Sequence, residues 1–264
     1  MHSLLTIAGS DPTGGAGLQA DLQVCRAFGV HGMAVPSALT VQDGLHVRQV
    51  LPVFPSVILE QLRVLLGAIT PSAIKIGMLA SDDIVRNVSL GLAGVEGLPV
   101  VIDPVLAASD GTPLLERRAY AAFKQLATGR QLLTPNWPEM EILSERALPR
   151  RRDGEEAARE LLDELKLEAL LLKGGHLEGD ASDLLVQRGT DGMRDEVSLE
   201  WLPGERLPGP PVHGTGCALS TAITAGLALG EPLREAVARA RDFVRRAIAN
   251  ARPLDNGARI LDWS

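Results

Sequence analysis

The sequence has 264 residues, of which 45% are hydrophobic and 22% charged, a composition typical of a soluble globular protein. A formal net charge of −7 argues against nucleic acid or an anionic membrane as a partner, and an aromatic content of 3% leaves few side chains for stacking on bases. The cysteines, Cys25 and Cys217, form no metal-ligand pattern, and no apolar run approaches the roughly 18 residues of a membrane span, so we expect a cytoplasmic protein with no nucleic-acid or membrane partner.

Short apolar runs alternate with helical periodicities along the chain, which predicts a mainly parallel sheet covered by helices on both faces. Strands are predicted at 4–8, 31–41, 73–76, 100–102, 131–133 and 169–172. Helices are predicted at 16–28, 56–67, 82–93, 116–127, 137–144, 153–165, from about 217 to about 229, and at 232–251. Two more strands, 183–187 and 197–201, flank the turn residues 189–192 and predict an antiparallel hairpin. No linker or low-complexity segment divides the sequence, so we expect residues 1–264 to form one domain.

Polar residues and glycines follow most of the predicted strands. In an open parallel sheet, ligands bind beyond the carboxyl ends of the strands. The residues at these ends are therefore expected to line one cleft. They are Gly9-Ser10-Asp11, Gln42-Asp43, Gly77-Met78, Asp103, Thr134-Pro135-Asn136 and Lys173-Gly174-Gly175.

Gly214-Thr215-Gly216 immediately precedes the helix that begins near Cys217. The first amides of a helix lie at the positive end of its dipole and suit an anion such as a phosphate. The same field lowers the pKa of a thiol in the first turn. An anion cradle beside a potential base points to phosphoryl transfer, whereas the alternative is a tight turn followed by a small core residue.

Two nucleotide motifs can be tested near the amino terminus. Gly9 and Gly14 have the spacing of a P-loop, but Gly15-Ala16 replaces its lysine and hydroxyl residue, so the motif fails. Residues 15–20 match the dinucleotide fingerprint G-x-G-x-x-[GA], and Asp43 lies where a ribose-binding acid would stand. An NAD-type oxidoreductase is therefore an alternative, although the detour between the strand and these glycines weakens it.

A series of blocks spread over the chain carries a family resemblance. They read Ala8-Gly9-Ser10-Asp11-Pro12-Thr13-Gly14-Gly15-Ala16-Gly17-Leu18-Gln19-Ala20-Asp21, Ala38-Leu39-Thr40-Val41-Gln42, Lys75-Ile76-Gly77-Met78-Leu79, Asp103-Pro104-Val105, Thr134-Pro135-Asn136-Trp137-Pro138-Glu139, Leu172-Lys173-Gly174-Gly175-His176 and His213-Gly214-Thr215-Gly216-Cys217. In this order they resemble the hydroxymethylpyrimidine/phosphomethylpyrimidine kinases, thiamine-pathway members of the ribokinase-like superfamily. The resemblance implies a ribokinase-like three-layer α/β/α fold and a homodimer. It also implies phosphorylation of 4-amino-5-hydroxymethyl-2-methylpyrimidine, and then of its monophosphate, with ATP and Mg²⁺.

The resemblance also implies roles for the residues that contact the substrate. Gln42 and Asp21 would hydrogen-bond the aminopyrimidine, and Cys217 would act as general base on its hydroxymethyl group. The pocket would be shaped by Gly9, Ala16, Met78 and Val105. Kinases of pyridoxal share the Gly-Thr-Gly-Cys sequence and are the alternative within the superfamily, but Gln42 favours the pyrimidine because those relatives tend to carry an apolar residue there.

For the phosphates and the metal ion, the resemblance implies a second set of residues. Gly214, Thr215 and Gly216 would form the anion hole for the transferred phosphoryl group. Lys173 would neutralise the phosphates of ATP, with Asn136 and Thr215 also on the nucleotide. Asp103 and Glu139 would organise Mg²⁺, since hard oxygen ligands suit that ion. Their alternative interpretations are a strand-end turn residue and an acid in the first turn of a helix.

The sequence departs from the family pattern just before the anion hole. Pro210-Pro211-Val212 stands where many relatives carry a polar Asn-Thr pair, whose side chains often help the anion hole or the nucleotide pocket. A third hypothesis is a protein that binds a vitamin precursor on a kinase scaffold without catalysis.

Overall fold

The computed structural model describes residues 1–176, 179–189 and 196–263. The chain divides into two compact units, one formed by Met1–Leu126 with Gly209–Ser264 and the other by Ala127–Pro208. That residues 1–264 form one domain stays a prediction. No helix in the described ranges is both long and apolar enough to cross a membrane.

The strands are β1 (Ser3–Ser10), β2 (His31–Gln42), β3 (Val47–Pro52), β4 (Ala73–Ile76), β5 (Val100–Ile102), β6 (Leu132–Leu133), β7 (Ala169–Leu172), β8 (Asp183–Arg188), β9 (Val197–Leu202), β10 (Arg252–Pro253) and β11 (Arg259–Ile260). The α-helices are α1 (Gly17–Ala27), α2 (Pro55–Ala68), α3 (Asp82–Gly91), α4 (Tyr120–Ala127), α5 (Trp137–Ser144), α6 (Arg151–Glu164), α7 (Thr215–Ala228) and α8 (Leu233–Ala249). Short 3-10 turns lie at Arg117–Ala119 and Gly174–His176.

In the first unit the strands follow the order β3-β2-β1-β4-β5. The strands β2, β1, β4 and β5 are parallel, and β3 runs antiparallel to β2 at the edge. Strand β1 is buried along nearly its whole length, as expected of a central strand covered on both faces. Its register with β2 shifts after Ala8, so that Ser37 bulges beside Pro36, which has no N–H to donate.

The helices of the first unit pack in two groups. Helix α1 lies on β1 and β2, α7 packs on α1 and on β1, β4 and β5, and α8 packs on α7. Helix α2 packs on α3 and on β2. Ser81 accepts a hydrogen bond from the Ile84 amide and caps α3. Cys25 is buried on α1 and belongs to the core.

In the second unit the strands follow the order β6-β7-β8-β9. Strands β6 and β7 are parallel, whereas β7, β8 and β9 pair antiparallel. The hairpin predicted near 183–201 is confirmed as β8 and β9, although its predicted turn beyond Gly189 lies outside the described residues. Helix α6 begins at Arg151, two residues earlier than predicted, because Arg150 and Asp153 pair across its first turn.

Candidate active site

The loop between β1 and α1 is organised by one buried carboxylate. Asp11 accepts hydrogen bonds from the amides of Thr13 and Ala16, at 2.9 and 2.8 Å, and pairs with His213 Nε2 at 2.9 Å. Burial acts to raise the pKa of Asp11, but the hydrogen bonds from His213 and Thr13 outweigh it and hold the pKa below its ordinary value. A charged Asp11 thus ties the glycine loop to the segment that precedes α7.

The glycine loop and the start of α7 approach each other through their backbones. Gly214 has a φ of +81°, and a Cβ atom there would lie 1.8 Å from the Gly15 carbonyl oxygen. Gly17 has a φ of +56°, and a Cβ atom there would lie 2.2 Å from the Gly9 carbonyl oxygen. Both positions therefore require glycine, for its backbone conformation and for space.

Helix α7 begins at Thr215 after Gly214, which provides no capping side chain. The first bond that closes a helical turn runs from the Ala218 amide to the Gly214 carbonyl oxygen, at 2.9 Å. The amides of 215–217 precede that bond, at the positive end of the helix. This geometry suits the predicted anion hole, which remains a prediction.

The environment of Cys217 differs from what its position at a helix terminus predicts. The residue keeps some exposed surface, and the Gly17 amide donates to its thiol. Desolvation by the surrounding protein raises the pKa of Cys217 to about 11, although Lys75 acts in the opposite direction. The expected lowering of the thiol pKa is therefore wrong: desolvation outweighs the attraction to Lys75 and the hydrogen bond from Gly17, and the neutral thiol predominates at pH 7.

The ion pair of Lys75 with Asp21 corrects a second expectation. Lys75 Nζ lies 2.9 Å from Oδ2 and 3.1 Å from Oδ1 of Asp21, and both side chains are fully buried. Asp21 also accepts hydrogen bonds from Thr6 Oγ1 at 2.5 Å and Thr221 Oγ1 at 2.6 Å. Because protein donors occupy both carboxylate oxygens, the predicted contact between Asp21 and a substrate is not supported. Asp21 instead holds a buried cation.

Lys75 is a residue of the site for which the sequence predicts no role. The available signal was a lysine inside the four-residue strand β4, since a charge in a buried strand requires a partner. Desolvation opposes its charge, but attraction to Asp21, Cys217 and Asp103 prevails and holds the pKa of Lys75 above its ordinary value. The cation is thus part of the electrostatic surroundings of the Cys217 thiol.

The predicted pocket residues lie around the ends of β1, β2, β4 and β5. Gly9 and Met78 are brought together, since a Cβ atom at Gly9 would lie 2.8 Å from Met78 Sδ. Gln42 Nε2 donates to Thr40 Oγ1 at 2.7 Å, at the end of β2. Ala16 precedes the first residue of α1, and Val105 follows β5 with part of its surface exposed.

Asp103 follows β5 and is 2% exposed. Ser220 Oγ, one turn into α7, lies 3.3 Å from its Oδ2. The structure therefore places Asp103 at a strand end, as predicted, and beside the first turns of the helix that carries Cys217.

Three predicted nucleotide and metal residues are brought together in the second unit. Asn136 Oδ1 accepts from the Glu139 amide at 2.8 Å, and Glu139 Oε2 accepts from the Asn136 amide at 2.7 Å, which makes a capping box for α5. Lys173 Nζ lies 3.8 Å from Glu139 Oε2. Glu139 is thus an acid in the first turn of a helix, as its alternative interpretation held. Its role toward a metal ion remains a prediction.

The glycines of the dinucleotide fingerprint serve other contacts. A Cβ atom at Gly15 would lie 2.8 Å from Ile260 Cγ2 and 2.9 Å from His213 Cδ2, so protein side chains cover this glycine. Asp43, the candidate ribose-binding acid, accepts hydrogen bonds from the amides of Leu45 and His46 and forms a turn. Neither feature favours NAD.

A glycine loop lies beside a helix terminus at the ends of parallel strands, which is the arrangement of an α/β protein that binds phosphate groups. The model of the phosphomethylpyrimidine kinase family matches residues 11–262, and the chain belongs to this family. It is 37% identical over 260 residues to the hydroxymethylpyrimidine/phosphomethylpyrimidine kinase of Streptomyces coelicolor. The aligned region covers 98% of this chain and 93% of the relative. It is 38% identical over 257 residues to the bifunctional thiamine biosynthesis protein ThiED of Geobacter sulfurreducens, and spans 97% of this chain but 51% of that protein.

Solved structures confirm the predicted ribokinase-like α/β fold. The ADP complex of Bacillus subtilis pyridoxal kinase matches with a TM-score of 0.88 and 31% identity, over 100% of this chain and 98% of that chain. Phosphomethylpyrimidine kinase from Clostridium difficile matches with a TM-score of 0.80 and 33% identity, over 94% of this chain and 100% of that chain. The oxidoreductase alternative is therefore rejected.

Proposed function

We propose that this kinase uses ATP to phosphorylate 4-amino-5-hydroxymethyl-2-methylpyrimidine and then the resulting monophosphate, as two steps of thiamine biosynthesis. The observation that carries the proposal concerns the start of α7. There the thiol of Cys217 accepts a hydrogen bond from the Gly17 amide, beside the helix terminus. ADP bound to the pyridoxal kinase of Bacillus subtilis supports ATP as the phosphoryl donor.

The proposed phosphoryl transfer depends on positioning and electrostatics. The amides of Gly214, Thr215 and Gly216 would stabilise the negative charge on the group in transfer. In the first step the thiolate form of Cys217 would receive the proton of the hydroxymethyl group, as the alcohol oxygen bonds to the γ-phosphorus of ATP and ADP leaves. In the second step the nucleophile is a phosphate that is already ionised, so no base is required. Gln42 would hydrogen-bond the aminopyrimidine. The pocket around the ring would be shaped by Gly9, Ala16, Met78 and Val105.

We further propose that Lys173, Asn136 and Thr215 contact the nucleotide phosphates, and that Asp103 and Glu139 hold Mg²⁺ through its water shell. The described residues contain no group of three or more His, Cys, Asp or Glu arranged for a metal ion. This fits Mg²⁺, which usually binds one or two carboxylates together with waters and substrate phosphates. The ion would neutralise phosphate charge, while Lys173 adds a cation beside Glu139.

A second candidate function is the phosphorylation of pyridoxal. The similarity to Bacillus subtilis pyridoxal kinase favours it, since the TM-score of 0.88 exceeds the 0.80 of the Clostridium difficile phosphomethylpyrimidine kinase. Gln42 favours the pyrimidine, because an amide that is left unpaired by the wrong ring reduces binding.

An assay of ATP consumption separates these functions. The purified protein is incubated with ATP and Mg²⁺ plus the pyrimidine alcohol, its monophosphate, pyridoxal or no acceptor. We expect turnover with both pyrimidines and a higher kcat/KM for the alcohol than for pyridoxal. A preference for pyridoxal would establish the second candidate, and binding without turnover would establish a protein without catalysis.

We also propose that the protein is a homodimer. Large apolar side chains are exposed on β2, on β3 and in or just before α2, namely Leu39, Val41, Leu51, Phe54, Val57 and Val64. Exposed apolar surface of this kind is a candidate for contact between protein chains. Sedimentation equilibrium should give twice the chain mass of 28.0 kDa, and Phe54→Asp should give the monomer. We place the reaction in the cytoplasm, because ATP is supplied there and both cysteines are free thiols.

A further inference from the structure

The C-terminal hairpin contacts the loop after β2, the glycine loop and the segment that leads into α7. It consists of β10 and β11, with Arg252 opposite Ile260 and Pro253 opposite Arg259. Its turn is closed by hydrogen bonds from the Leu254 amide to the Ala258 carbonyl oxygen, at 2.7 Å, and from the Gly257 amide to the Leu254 carbonyl oxygen, at 2.9 Å.

Two of its contacts are with the loop after β2 and with the glycine loop. Asn256 Nδ2 donates to the Asp43 carbonyl oxygen at 2.7 Å. Ile260 Cγ2 would lie 2.8 Å from a Cβ atom at Gly15. The hairpin therefore reaches both loops on the amino-terminal side of the site.

Arg259 makes the contacts with the segment that leads into α7. Its Nη1 donates to the Pro210 carbonyl oxygen at 3.0 Å, and its own carbonyl oxygen accepts from the His213 amide at 2.9 Å. Gly209 leaves room for the guanidinium, since a Cβ atom there would lie 2.9 Å from Nη1. One residue thus holds both ends of the segment 210–213.

This segment needs support from outside because of its sequence. Pro210 and Pro211 have no N–H and no polar side chain, so they can be fixed only through their carbonyl oxygens or by packing. His213 is followed directly by Gly214, whose backbone lies against Gly15. A displacement of the segment would therefore displace the amides at the start of α7.

We propose that Arg259 is a positioning residue that fixes segment 210–213 and, through it, the amides of 214–216 for phosphoryl transfer. The inference rests on the proposed role of those amides. Arg259 replaces, from another part of the chain, the support that polar side chains at 210 and 211 would provide.

The test compares Arg259→Gln and Arg259→Lys with Arg252→Gln. Arg252 lies on the same hairpin and pairs with Asp262, so the control removes one positive charge and one ion pair from the same hairpin. We expect Arg259→Gln to lower kcat about tenfold, with the KM for the pyrimidine changed by less than about twofold. Arg259→Lys, which can still donate to Pro210, should recover part of kcat, and Arg252→Gln should retain the wild-type value.

Hydrogen exchange in the unliganded protein supplies a readout that does not depend on activity. Amides of 212–217 should exchange faster in Arg259→Gln than in Arg252→Gln, while the two melting temperatures agree. Unchanged exchange rates of these amides in Arg259→Gln would overturn the proposal that Arg259 positions the segment. Faster exchange with unchanged kcat would instead overturn the proposed role of the amides. An equal loss of kcat in Arg252→Gln would overturn the specific role of Arg259 in favour of general hairpin stability.

Discussion

Lys75 and Asp21 form an ion pair that is entirely shielded from water, with Lys75 Nζ 2.9 Å from Asp21 Oδ2. The pair joins β4 to α1, and Thr221 extends it to the face of α7 one turn beyond Cys217. A buried charge loses its hydration, so each partner depends on the other. The pair links three elements of the core and places a cation near the thiol.

Lys75→Met should be strongly destabilising, because it leaves the Asp21 carboxylate buried without its cation. We expect the free energy of unfolding in urea to fall by about 3–5 kcal/mol. The double variant Lys75→Met/Asp21→Asn should recover a large part of this loss, since no uncompensated charge remains. Equal losses in the single and double variants would contradict this account, because the damage would then come from packing alone.

The mainly parallel sheets and most helices could be predicted from the sequence, because buried strands such as β5 and β7 read as continuous apolar runs. Strand β3 was missed because Val47–Pro52 lies at an edge, is largely exposed and has no clean alternation. The hairpin β10–β11 was missed because each strand has two residues. Such elements are fixed by tertiary contacts, which leave no local pattern.

In the candidate site, too, features with a local sequence pattern could be predicted and features fixed by tertiary contacts could not. Gly214 and Cys217 were identified because a glycine-rich turn before a helix is a local feature. The partner of Asp21 lies 54 residues away, and no spacing predicts that its oxygens are used by Lys75 and two threonines. The pKa of Cys217 was mispredicted for the same reason, since desolvation depends on what packs around the thiol.

Gly214→Ala should be far more damaging than Gly230→Ala. Both glycines have a positive φ, +81° and +86°, but a Cβ atom at Gly214 would lie 1.8 Å from the Gly15 carbonyl oxygen, whereas nothing lies within 4 Å at Gly230. We expect Gly230→Ala to lower the free energy of unfolding by about 1–2 kcal/mol, the strain of the left-handed backbone alone. Gly214→Ala should lower it further and should abolish phosphorylation.

Urea unfolding and a single-substrate assay on both variants provide the measurement. If the two substitutions had equal effects on stability, the close approach of Gly214 to Gly15 would be contradicted. If Gly214→Ala kept wild-type activity, the anion hole would lie elsewhere.

The reaction of Cys217 with iodoacetamide should depend steeply on pH. Burial raises its pKa to about 11, so only a small fraction is thiolate at pH 8, and that fraction should grow about tenfold for each pH unit up to pH 10. An exposed thiol, with a pKa of about 8.5, would approach a plateau in this range. Cys25 serves as an internal control, because it is buried and its pKa is raised to about 12. Mass spectrometry of labelled peptides at each pH measures both rates, and a plateau for Cys217 below pH 9 would contradict the raised pKa.

Cys217→Ala should impair the two phosphorylations unequally. The first nucleophile is a primary alcohol that must lose a proton, whereas the second is a phosphate that is already ionised. A base contributes about 10²-fold or more to a rate, so we expect a loss of at least this size in the first step and a much smaller loss in the second. Single-turnover assays with the pyrimidine alcohol and with its monophosphate measure the steps separately. Cys217→Ser preserves the size of the side chain, and its hydroxyl is a poorer proton acceptor at pH 8, so it should resemble Cys217→Ala in the first step. Equal losses in both steps, or a fully active serine variant, would show that Cys217 positions the substrate and does not take its proton.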